Sequence, residues 1–103
     1  MNNWIINTMP TLITVLQSLG EHEIEIISVD TDTVAGHMRI HCDSTEEFLT
    51  WVKDKDAEIS DIRITYPDVD SRGFPYEITV MAEEKIEVFC LMSEERYREW
   101  RGE

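Results

Sequence analysis

Two runs of strict alternation, residues 76–82 and 86–92, constrain the fold of this chain more than any other feature. Tyr76, Ile78, Val80 and Ala82 alternate with Glu77, Thr79 and Met81, and Ile86, Val88, Cys90 and Met92 alternate with Glu87, Phe89 and Leu91. A period of two over seven residues on each arm marks paired antiparallel strands with one face in a core. A three-residue connection over Glu83, Glu84 and Lys85 sets Val80 opposite Val88, Ile78 opposite Cys90 and Thr79 opposite Phe89.

The flanking segments supply what such a hairpin packs against. Met9, Leu12, Ile13, Leu16 and Leu19 recur at helical spacing, with Thr8 as a candidate N-cap, Pro10 in the first turn and Gly20 just past the end. No charged residue precedes Glu21, and a polar face of Asn, Thr, Gln and Ser accounts for this helix without a partner. Residues 21–42 read as a second hairpin, turning at Asp30-Thr31-Asp32. Its expected register sets Glu25 opposite His37, Glu23 opposite Arg39 and Glu21 opposite His41, three acid–base cross-strand pairs. Ile27 and Val29 break the alternation, which implies a bulge or a strand end covered on both faces.

A short helix follows over 43–55. Asp43 or Ser44 is its cap, Ser44 with Glu47 forms a capping box, and Phe48, Leu49 and Val52 face inward with Trp51 at the edge. Ile62, Ile64 and Tyr66 mark a third strand ended by Pro67, and an irregular loop over 67–75 leads into the first hairpin described. Ser93 caps a terminal helix that runs through Trp100. The order α-β-β-α-β-β-β-α, with consecutive strands and few helical crossovers, predicts an α+β fold. We expect a mainly antiparallel sheet of about five strands with helices packed on one face, as a single domain over residues 1–103.

Composition limits the function. Twenty-two acidic residues against nine basic ones give a net charge of −13 over 103 residues. Such a chain repels nucleic acid and anionic lipid and is drawn to basic surfaces. No apolar run is long enough for a membrane span and no secretory signal opens the chain, so the expected location is the cytoplasm. Two cysteines make no disulfide framework, and their strand parity makes Cys42 and Cys90 small buried apolar residues rather than nucleophiles.

Specific chemistries find little support. His37 and His41 on one strand stand ~13 Å apart, too far to share a zinc ion. The run Asp68-Val69-Asp70-Ser71-Arg72-Gly73 opens like a calcium loop, but Arg72 stands at the fifth position and Thr79 at the twelfth, where a bidentate glutamate should be. No phosphate-binding, dinucleotide or nucleophile-elbow motif occurs. The expectation is therefore a non-enzymatic protein with no cofactor and no metal.

What remains is a surface. Asp54, Asp56, Glu58, Asp61, Asp68 and Asp70 form an acidic tract, and carboxylates at alternate positions stand ~6–7 Å apart, comparable to neighbouring phosphates on one strand. In size and charge the chain resembles the phage-encoded inhibitors of restriction or CRISPR nucleases that imitate nucleic acid. The resemblance is one of composition, with no shared motif. It implies a protein partner with a basic surface and no direct binding of nucleic acid or membrane. The alternative is a homodimeric accessory or regulatory module that associates through Met81, Phe89 and Leu91, on the hairpin face turned away from the core.

Overall fold

The computed structural model describes residues 3–64 and 76–102. They form α1 (Asn3–Glu21), β1 (Ile26–Asp32), β2 (His37–Cys42), α2 (Thr45–Asp54), β3 (Ile59–Ile64), β4 (Tyr76–Glu83), β5 (Ile86–Met92) and α3 (Glu94–Arg101). This is the α+β order that the sequence predicts. The strands lie in one sheet in the order β1-β2-β5-β4-β3. All neighbours are antiparallel except β2 and β5, which run parallel at the centre.

The β4–β5 hairpin has the expected register, with Val80 opposite Val88, Ile78 opposite Cys90 and Thr79 opposite Phe89. The connection itself is tighter than expected. Glu83 pairs with Ile86, so only Glu84 and Lys85 turn, and the register shift falls between Met81 and Glu83. A two-residue turn plus a bulge consumes as many residues as a three-residue loop, so the pairing beyond it is the same.

The β1–β2 hairpin differs from its expected form. Asp30, Thr31 and Asp32 belong to β1, and Asp30 pairs with Arg39, Asp32 with His37 and Ser28 with His41. The turn is displaced because Asp32 caps it. Its Oδ1 accepts from the Val34 and Ala35 N–H groups at 3.1 and 2.9 Å, and Gly36 closes the turn at φ 76°. Those backbone donors hold the Asp32 carboxyl below its usual range. The expected pairs from Glu21, Glu23 and Glu25 therefore do not form. Glu21 ends α1, Glu23 turns the chain at φ 59° and β1 starts only at Ile26. The irregularity at Ile27 is a bulge, with the register shift between Ile26 and Ser28.

Helix α1 starts at Asn3, well before Thr8. The Thr8 hydroxyl donates to the Trp4 carbonyl at 2.6 Å instead of capping, and Pro10 lies inside the helix. Trp4 and Ile5 pack on the core, and this burial offsets the hydrogen bond that Pro10 cannot donate. The inward stripe is Leu12, Val15 and Leu19, while Met9 and Ile13 are 42% and 51% exposed. In α2 the residue at the cap position, Ser44, is left-handed at φ 69° and makes no side-chain cap, so no capping box forms. The Asp43 carboxylate instead accepts the Ser44 N–H at 2.8 Å. Trp51, placed at the stripe edge by the sequence, is buried beside Phe48, and its Nε1 donates to Ser18 Oγ at 3.0 Å, pinning α2 to α1.

One core joins these elements. Met38, Ile40, Cys42, Ile78, Val80, Ile86, Val88, Cys90 and Met92 present one strand parity to it, all at most 2% exposed. Leu12, Val15, Leu19, Phe48 and Trp51 meet them from α1 and α2. Helix α3 is capped as expected, with Ser93 Oγ accepting the Arg96 N–H at 3.2 Å. Its Tyr97 stacks on Tyr76 with ring centroids 3.8 Å apart, and Arg96 forks onto Glu46 at the start of α2. That guanidinium lowers the Glu46 pKa.

Candidate protein-binding surfaces

The acidic tract is divided by the fold. Asp54 ends α2 and is met by His22 Nε2 at 3.4 Å. Asp56 lies two residues on, in the left-handed region at φ 50°, with its N–H donating to the Lys53 carbonyl at 3.1 Å. This reversal carries the chain from α2 into β3 and leaves Asp56 and Glu58 exposed. Asp61 stands on β3 opposite Thr79. Asp68 and Asp70 lie outside the described residues, as does the whole calcium-like run.

A further acid joins from elsewhere. Glu83, at the end of β4, lines the same groove as Asp56 and Glu58. The groove has a volume of about 380 Å³ between α1, the α2–β3 connector and the end of β4. Among the described residues, Val15, Trp51, Ala57, Met81 and Ala82 supply its apolar lining, Thr14 and Ser18 its hydroxyls, and Lys55 its one base. Three carboxylates against one ammonium leave the rim net negative. A rim of this kind can receive Lys or Arg side chains through charge-assisted hydrogen bonds. In the sequence Glu83 is only a turn residue, because nothing local connects it with Glu58, 25 residues earlier.

The residues expected to form the alternative interface have the strand parity opposite to the core. Phe89, Leu91 and Met81 are half-buried and are not among the residues that pack on the core, and Met81 lines the acidic groove, apart from Phe89 and Leu91. Phe89 is screened by its neighbours on β2. The Arg39 guanidinium lies 4.2 Å from its ring centroid, and the His41 ring stacks on it at 4.5 Å with a 13° interplanar angle. Arg39 also donates to Glu77 at 2.5 Å and to Glu87 at 3.0 Å, and His37 Nε2 lies 3.3 Å from Glu87. Burial holds the His41 pKa below its usual value, against the opposing pull of Glu77 and Asp43. Ionic side chains thus take up much of a face on which the alternation sets Glu77, Thr79 and Glu87 beside Phe89 and Leu91.

The large exposed apolar side chains of the described residues are elsewhere. Ile6, Met9 and Ile13 lie on α1, Ile26, Ile27 and Val29 on the edge strand β1, and Val34 in the β1–β2 turn. The signal that marks α1 was present in the sequence: a first helix without a single charge in a chain of net −13.

Cys42 and Cys90 are register partners on the parallel strands β2 and β5, each 1% exposed. Burial pushes their thiols up to about 12 and about 11, which suits apolar packing and suppresses nucleophilicity. Among the described residues no three His, Cys, Asp or Glu side chains gather as metal ligands, and no helix is long and apolar enough to cross a membrane. Comparison with protein families, with curated proteins and with solved structures returns no match.

Proposed function

We propose that this protein acts by binding another protein, and that it inhibits a larger enzyme by occupying the basic surface on which that enzyme holds nucleic acid. The observation that carries the reading is the convergence of Asp56, Glu58 and Glu83, from two distant segments, around one groove of a chain with net charge −13. Carboxylates set on a folded scaffold can displace a polyanion from a basic groove, releasing the same counterions and water as the nucleic acid does. Asp54, Asp61, Asp68 and Asp70 extend this contact surface in the proposal. The reading requires no cofactor, no metal and no catalytic residue.

The test is capture from lysate at low ionic strength, elution along a salt gradient, and competition by added DNA or RNA. The expected outcome is recovery of a nucleic-acid-binding enzyme that elutes early and is displaced by the competitor. The triple variant Asp56→Asn, Glu58→Gln, Glu83→Gln should lose that capture while keeping its fold, since Asn tolerates the left-handed backbone at position 56. Capture that resists salt, or that the triple variant retains in full, overturns the reading.

A further inference from the structure

The structure assigns α1 a second role, as the surface through which two copies of this chain pair. Helix α1 carries two apolar stripes. One, through Leu12, Val15 and Leu19, is buried in the core. The other, through Ile6, Met9, Ile13 and Leu16, lies ~100° further round the helix. Its first three members are 63%, 42% and 51% exposed, and Leu16 is half-buried where the two stripes meet.

Two observations identify the occupant as a second copy. The first is charge. Between Asn3 and Gly20 α1 has no acidic, basic or histidine side chain, whereas the whole chain is −13. A basic partner is drawn to the acidic surfaces and gains no Coulomb attraction on α1. A copy of the same chain is repelled by those surfaces and can approach closely where neither molecule carries charge. The second is spacing. Positions 6, 9, 13 and 16 are separated by three, four and three residues, the repeat of a helix–helix seam. That pattern is symmetric about position 11. Across a two-fold axis Ile13 of one copy meets Met9 of the other, and Ile6 meets Leu16, as an isologous contact requires.

The seam is short. A 19-residue helix is ~28 Å long, and a single helix pair of that length buries less than the ~800 Å² per partner of a standard interface. The dimer is therefore weak and concentration-dependent. Its salt dependence is the reverse of that expected for the acidic groove, because added salt screens the repulsion between two like-charged copies. This inference does not depend on the proposed inhibition, and the two can fail separately.

The experiment is sedimentation equilibrium of the full chain over a wide concentration range at low and high salt, with thermal unfolding of each variant as a check on folding. We expect a monomer–dimer equilibrium that strengthens with salt. Ile13→Glu (I13E) and Met9→Lys (M9K) should each weaken self-association by at least about tenfold without lowering the unfolding midpoint, because both sites are solvent-exposed in the monomer. Mixing the two variants should restore pairing, since the antiparallel seam brings the new glutamate against the new lysine. A monomer at every concentration and salt overturns the inference and leaves α1 to a protein of another sequence. A dimer that survives Ile13→Glu but dissociates on Phe89→Glu also overturns it and assigns the contact to the open sheet face.

Discussion

The two faces of the sheet share the same backbone but are stabilised by different forces. On the helix-covered face, Met38, Ile40, Ile86, Val88 and Cys90 are almost wholly removed from water, and non-directional apolar burial holds them. On the reverse face, their immediate neighbours His37, Arg39, His41, Glu87 and Phe89 are half-buried and held by directed contacts, with Arg39 bonded to Glu77 and Glu87. Every buried side-chain nitrogen and oxygen among the described residues has a hydrogen-bond partner. The difference concerns tolerance. An apolar layer absorbs a change of shape at a cost set by the cavity it leaves, whereas an ionic layer is sensitive to the loss of one partner, since the other is left half-desolvated.

The comparison can be broken from either side. The largest effect is expected on the covered face, where Phe48, fully buried between α2 and the sheet, should lose about 3–5 kcal/mol of stability on truncation to Ala in denaturant titration. An equal or larger loss at an open-face position would contradict the contrast. On the open face, Arg39→Met should cost about 1–3 kcal/mol by leaving the Glu77 and Glu87 carboxylates without their shared partner. Adding Glu77→Gln and Glu87→Gln should recover part of that loss. If the triple variant is no more stable than Arg39→Met alone, the ion pairs are not what holds this face.

A smaller, pH-dependent effect sharpens the same point. The folded His41 pKa is depressed, so the unfolded chain binds the proton more readily. The stability contributed by neutral His41 is present above the unfolded value of about 6.5 and is lost as pH falls through and below it. The groups around it pull in both directions, Glu77, Asp43 and Asp30 raising its pKa and Arg39 lowering it. Unfolding midpoints measured from pH 7.5 to 5.0 should fall less steeply for His41→Gln than for the parent chain, and identical slopes would show that burial of the ring is unimportant. The smallest effect belongs to neither face. Arg96→Ala removes an exposed fork onto Glu46 and should cost no more than about 1 kcal/mol, declining with added salt in thermal unfolding.

The elements easiest to read in the sequence were those whose partners are adjacent along the chain. In β4 and β5 the alternation, the tight connection and the pairing all lie within residues 76–92, so the pattern of apolar residues specified the register even though the turn was assigned a different shape. In the β1–β2 hairpin the polar run Asp30-Thr31-Asp32 reads as the turn, whereas the chain turns in the next segment, residues 33–36. Asp32 decided the matter by capping that later segment. In α1, both stripes recur at helical spacing, and only the position of the sheet selected Val15 over Met9 and Ile13 for the core. The candidate site was legible in part. Asp56 and Glu58 were marked by composition, but Glu83 joined them only through folding.

By itself the sequence determined the order of helices and strands, the central hairpin, the inward parity of both cysteines and the strong negative charge, all properties of residues close in the chain or summed over it. Tertiary structure alone decided the parallel contact between β2 and β5, the Arg39–Glu87 pair across 48 residues, the gathering of acids around the groove and the exposure of one α1 stripe. The reason is physical. Hydrophobic periodicity reports which face of an element turns inward, but not which other element covers that face or how far the cover extends.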